Sequence, residues 1–161
     1  DMFILRNVGN FVPPYNPDND YHGSSAVIEY AVCVLGVKHI IVCGHSHCGA
    51  CKSLYHDLGD SPDLINVKKW LDLGKKAKEY TLLAIQDKSD PEKLYRATER
   101  ISIVHQMENL LTFPYIVKKI KSGEIQIHGW YYKVEDGTIE YYDGEECSFK
   151  ELEENTDANR G

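Results

Sequence analysis

His39-Ile40-Ile41-Val42 runs directly into Cys43-Gly44-His45-Ser46-His47-Cys48-Gly49-Ala50-Cys51. The apolar, β-branched run predicts a buried strand over residues 38–43, and the small residues after it predict a helix from about Cys48 to His56. Working backwards, Ser24 or Ser25 can cap a helix carrying Ile28, Ala31, Val34 and Leu35, with Gly36 as its stop. Residues 2–6 read as a short buried strand, and residues 7–20 as a Gly-, Pro-, Asn- and Asp-rich loop. A strand, a crossover helix and a second strand make a βαβ unit, which requires a parallel sheet. The quoted stretch therefore decides the class as α/β. It also puts its Cys and His residues where a strand ends and a helix begins, the place where open α/β sheets carry chemistry.

Working forwards, a polar segment leads to a predicted helix over residues 67–73. From Pro91, Leu94, Ala97, Ile101, Val104, Leu110 and Leu111 recur at three- and four-residue steps, as in one long amphipathic helix. Pro114 and Gly123 bracket a shorter one. Residues 125–134 and 138–142 alternate apolar and polar about Asp136-Gly137, a hairpin that closes one edge of the sheet. The predicted architecture is a mostly parallel β-sheet flanked by helices, with an antiparallel edge hairpin.

The 161 residues fit a single domain, with residues 155–161 as a frayed tail. The chain opens at Asp1 without a Met and runs straight into strand-like sequence, so it reads as N-terminally incomplete. A net charge of −7 gives no electrostatic attraction to nucleic acid or to an anionic membrane. No apolar run approaches the roughly 20 residues that span a bilayer. Five cysteines, four of them between Cys33 and Cys51, suit a reducing compartment better than a disulfide scaffold, and the predicted location is cytoplasmic.

Five metal-ligating side chains fall within nine residues, and thiolate with imidazole favours zinc over harder ions. His45 and Cys48, three apart across a Gly-flanked turn, are the candidate zinc ligands. A structural thiol beside a capping His is the alternative. Cys51 could complete a C-x-x-C half-site or a redox pair, but one helical turn on it packs inward more naturally as a small apolar residue. Cys33 and Cys43 read as core thiols, and Cys147 is uninformative. His47 reads as a solvated turn residue or a proton relay, His22 shares that ambiguity, and His128 reads as a core histidine on a strand.

Three stretches, Arg6-Asn7-Val8-Gly9-Asn10 with Val12-Pro13-Pro14, Ser25-Ala26-Val27-Ile28-Glu29-Tyr30-Ala31, and Gly44-His45-Ser46-His47-Cys48-Gly49-Ala50, together resemble the β-class carbonic anhydrases. Ile127-His128-Gly129-Trp130-Tyr131-Tyr132 resembles that family's closing hairpin, so the likeness reaches about Tyr142. It implies reversible hydration of CO2 to bicarbonate and a proton through a zinc-bound hydroxide, with Zn2+ as cofactor. It matches His45 and Cys48 to two of three protein ligands, and Arg6, Tyr30 and Gly49 to positions near the substrate pocket or the dimer interface. A homodimer or higher homo-oligomer is implied, since the family builds its site at such an interface.

The chain departs from the pattern in one respect. The family's first ligand and its Asp/Arg dyad come from a Cys-x-Asp-x-Arg segment before the Arg-Asn stretch, and no such segment occurs here. The catalytic dyad is therefore unassigned. A carbon disulfide hydrolase-like zinc enzyme and a non-catalytic zinc-binding partner subunit are the alternatives.

Overall fold

The structure, a computed structural model, describes residues 2–152. The tail at residues 155–161 lies outside the described residues. Four strands form one mixed sheet in the order β1-β2-β3-β4: β1 (His39–His45), β2 (Gln126–Tyr132), β3 (Ile139–Asp143) and β4 (Ser148–Glu151). β1 and β2 are parallel, with Val42 opposite Gly129, and the two later pairings are antiparallel. The α/β class and the antiparallel edge are as the sequence predicts, but with one parallel pairing the sheet is mixed rather than mostly parallel. β4, in the acidic stretch after Glu145, extends that edge by one strand the pattern did not announce.

The helices are α1 (Gly23–Glu29), α2 (Gly49–Ser53), α3 (Ile65–Leu71), α4 (Lys75–Ala84), α5 (Pro91–Leu110) and α6 (Pro114–Lys121). α5 is the long helix read from the periodicity. Asp90 caps it by accepting the Glu92 and Lys93 backbone N–H groups, and Pro91 pre-sets its first turn. Its buried stripe includes Leu94, Thr98, Ser102, Ile103, Gln106 and Leu110. This stripe packs beneath β1 and β2, where Val42, Ile103, Leu110, Phe113, Ile116, Ile125 and Tyr131 form the core with Val12, Ile28 and Val32.

Several local expectations shift. Residues 2–6 form no strand: among the described residues they have no ladder partner, and Met2, Phe3, Ile4 and Leu5 are exposed. Extended sequence becomes a strand only when a neighbour takes its N–H and C=O groups. α1 is capped at His22, whose carbonyl accepts the Ala26 N–H, and Ser24 and Ser25 lie inside its first turn. Its continuation over Tyr30–Val34 is a π-turn, with the Leu35 N–H bonded to the Tyr30 carbonyl. The extra residue rotates the following side chains, so Val32 is buried while Cys33, Val34 and Leu35 face outward. α2 is shorter than expected. The segment expected over 67–73 begins earlier and is followed by α4, which the sequence reading missed.

Gly44 shows how closely the layers meet. A Cβ there would lie 2.8 Å from two Ile103 side-chain atoms, so only glycine lets β1 sit this close to α5.

Candidate metal centre

β1 runs two residues further than expected and ends at His45 itself. Side chains alternate along a strand: Val42 and Gly44 are buried against α5, while Ile41, Cys43 and His45 emerge on the other face. Cys43 is therefore not a core thiol, and it donates to the Gly44 carbonyl at 3.6 Å. Cys33 is likewise exposed.

After His45 the chain turns sharply. Ser46 is buried, and His47 takes a left-handed conformation with φ of 57°. The turn is held from the hairpin side. The Ser46 backbone N–H donates to the Tyr132 carbonyl, the Ser46 hydroxyl donates to Glu135 at 2.6 Å, and the same hydroxyl accepts the Val134 N–H at 2.9 Å. The second Glu135 oxygen pairs with His47 Nε2 at 2.5 Å. Glu135 is thereby held below the ordinary carboxylate range, first by the Ser46 hydroxyl. His47 is thus a paired surface residue pointing towards the hairpin.

His45 Nδ1 lies 2.8 Å from the Ser46 carbonyl. A carbonyl can only accept, so Nδ1 is the donor, and in the neutral ring Nε2 is the nitrogen that keeps a lone pair. That is the arrangement a metal-binding imidazole needs.

Cys48 is the N-cap of α2 and is buried. The adjacent Cys51 thiol, chief among the influences, acts against the cost of burial with help from the Cys51 backbone N–H, the His45 ring and the Ala50 N–H. Together they bring the Cys48 thiol down to about 5. Its sulfur is a thiolate at neutral pH. Cys51 faces the core, fully buried, and is pushed well above the ordinary thiol range by Cys48 and by burial. It stays protonated, as the reading of a small inward residue requires.

Two further elements fix this turn. Glu99 on α5, 2% exposed, accepts the Cys48 backbone N–H at 2.8 Å and the Tyr131 hydroxyl at 2.8 Å. Burial raises the Glu99 carboxyl, opposed by those two donors and by Arg96. The loop after Arg6 is pinned to α5: the Val12 N–H donates to Gln106 at 2.8 Å, and Asn109 donates to the Val12 carbonyl at 2.9 Å. Gly9, with φ of 76°, brings this loop against Ala50, so that a Cβ there would meet the Ala50 methyl at 3.0 Å. The Arg-Asn stretch and the Cys/His turn, far apart in sequence, thus pack together. Sequence reasoning missed Glu99 and Glu135. The available signal was a carboxylate on the apolar stripe of a helix at Glu99; Glu135 had none.

The remaining candidates lie apart. Arg6 and Tyr30 are exposed, with Tyr30 set against Phe3 at 6.0 Å between ring centroids. Neither bonds to His45 or Cys48 among the described residues. Gly49 opens α2, with free space where a side chain would stand. His22 pairs with Asp18 at 2.5 Å on the surface. His128 is only partly buried and lies beside His39 rather than in the core.

A free imidazole Nε2 and a thiolate on one turn have the donor chemistry that suits zinc. Among the described residues no third His, Cys, Asp or Glu joins them.

A sequence model of the carbonic anhydrase family matches residues 1–139. A carbonic anhydrase of Synechocystis sp. is 38% identical over 146 residues, covering 89% of this chain and 52% of the relative. One from Pseudomonas aeruginosa is 37% identical over 154 residues, 96% of this chain and 68% of the relative. Among solved structures, the β-carbonic anhydrase CcaA gives a TM-score of 0.83 at 34% identity, covering 96% of this chain and 68% of that one. A tetrameric β-carbonic anhydrase of Sordaria macrospora gives 0.71 at 30%, covering 88% and 68%. The chain spans about half the length of the Synechocystis relative. Sequence agreement over most of the chain, joined to the same fold in the solved structures, shows that the chain belongs to the β-carbonic anhydrase family.

Proposed function

We propose that this chain carries the zinc-binding turn of a carbonic anhydrase and serves the reversible hydration of CO2 to bicarbonate and a proton. The observation that carries the reading is the pair on the strand-end turn: a His45 ring with Nε2 free and a Cys48 held as thiolate. These two side chains would hold Zn2+. Zinc bound there would supply the Lewis acidity that makes water nucleophilic near neutral pH.

The protein's own residues do the positioning. The Ser46 carbonyl fixes the His45 tautomer, and Glu99 anchors the Cys48 backbone. Glu135 locks Ser46 against the hairpin. The remaining ligands would come from sequence joined to this chain in a longer protein or from a partner. The exposed row Met2, Phe3, Ile4 and Leu5 beside Tyr30 supports a homo-oligomer, with Arg6 and Tyr30 at its interface. Among the described residues no helix is long and apolar enough to cross a membrane.

The test is stopped-flow CO2 hydration by the full natural gene product. Chelator-sensitive hydration that is lost in His45→Ala supports the proposal. Bound zinc without hydration turns the reading to carbon disulfide hydrolysis, assayed in parallel, or to a non-catalytic zinc-binding subunit.

A further inference from the structure

β1 and β2 carry a second pair of ligating side chains at the opposite end from the Cys/His turn. His39 opens β1, and His128 lies on β2 opposite Ile41, two register positions on, so both rings project from the same face of the sheet. His39 Nδ1 and His128 Nε2 are 3.1 Å apart, with ring centroids separated by 5.2 Å and planes inclined at 40°. The two nitrogens face one another at hydrogen-bond distance.

Two nitrogens bound at about 2.0–2.1 Å to one ion stand roughly 2.9 Å apart at a right angle and roughly 3.4 Å apart in a tetrahedron. The observed separation lies between these limits, so the backbone already holds the two nitrogens at the bite of a chelate. His39 is exposed, so its ring can turn to bring both lone pairs onto one ion. Burial, and then the neighbouring His39, hold His128 below the usual histidine range. Both act against protonation of the ring and so favour the neutral form in which imidazole ligates. We propose that His39 and His128 form a two-imidazole site for a divalent transition-metal cation, distinct from the His45/Cys48 turn. Six residue steps along β1 separate His39 from His45, roughly 20 Å, so one ion cannot serve both places. No third His, Cys, Asp or Glu joins the pair among the described residues, so water completes the coordination. Ni2+, Cu2+ and Zn2+ are the ions that imidazole suits.

The test is titration of the protein with Ni2+ alone, read by calorimetry and by NMR of the imidazole protons. The expected result is a binding event that survives Cys48→Ser and is lost in both His39→Ala and His128→Ala, giving one ion fewer per chain in each. In the unsubstituted protein, sub-stoichiometric Ni2+ should broaden the His39 and His128 ring signals together. A Tm increase with Ni2+ that vanishes in His39→Gln is the same prediction read as linkage. Unchanged stoichiometry in either His variant, or broadening of only one of the two rings, overturns the proposal. Because Cys48→Ser removes the other candidate centre, this outcome does not depend on the zinc reading.

Discussion

Glu99 Oε1 accepts the backbone N–H of Cys48 at 2.8 Å, although 51 residues separate them. The same carboxylate takes the Tyr131 hydroxyl, so one buried side chain on α5 ties the candidate metal turn to the central strand β2. A buried charge is tolerated only when it is bonded on each side, and here its bonds set the position of Cys48.

Glu99→Leu leaves the Cys48 N–H and the Tyr131 hydroxyl without acceptors. It should cost about 3 kcal/mol of stability, measured by urea denaturation. Glu99→Gln retains an acceptor for Cys48 and should cost less. On the proposed zinc reading both should also weaken metal affinity, by about 10–100-fold, as read by competition with a chromophoric chelator. Equal stability losses for the two variants would show that the hydrogen bond to Cys48 is not the important one.

His45→Ala and Cys48→Ser should each abolish tight zinc binding, while Cys51→Ala should retain it. Cys51 is buried and protonated and lies at the rear of the turn, so its loss leaves only a small cavity, at about 1 kcal/mol. Zinc content by elemental analysis after dialysis separates these outcomes. A zinc-free Cys51→Ala protein would make Cys51 a ligand and overturn its assignment as a packing residue.

Gly44→Ala should destabilise by about 1–3 kcal/mol, since Ile103 is fully buried and has no room to retreat from the new methyl. Combined with Ile103→Ala, the total loss should fall short of the sum of the single losses. Strict additivity in a denaturation cycle would refute the close contact between β1 and α5.

The pair of Arg100 and Glu140 sets an acid limit. Arg100 donates to Glu140 at 2.8 and 3.1 Å, and this bond, helped by Lys133, holds the Glu140 carboxyl below its ordinary range. The folded pKa is lower than the unfolded one, so the stabilisation is fully present above about pH 4.3. It is lost as pH falls through the folded value. Glu140→Gln should therefore lower stability at pH 7 and narrow its deficit against the unsubstituted protein below pH 4. Denaturation midpoints at pH 7 and pH 3 test this, and a constant deficit would contradict it.

The features legible in the sequence are those whose causes lie within a few residues. Asp90-Pro91 announces α5, and its three- and four-residue spacing marks the buried stripe. Pro114 and Gly123 bracket α6. His39-Ile40-Ile41-Val42 gives β1, and the small residues after it give the turn that bears His45 and Cys48. Where local pattern misled, a non-local contact or a backbone irregularity was responsible. The π-turn at Tyr30–Val34 rotated Cys33 and Val34 outward. Cys43 reads as a core thiol because it ends a strand taken as buried, whereas β1 buries Val42 and Gly44 and leaves Cys43 exposed.

The sequence by itself determined the α/β class, the strand-end turn and its two candidate ligands, because hydrophobic period, capping and turn chemistry act over one or two helical turns. Only the tertiary structure decided that Glu99 supports Cys48, that Glu135 fixes Ser46 from 89 residues away, and that His39 faces His128 across two strands. It also left residues 2–6 unpaired among the described residues. A strand pairing or a buried carboxylate is defined by the group that meets it, and which groups meet depends on how the chain is folded back on itself.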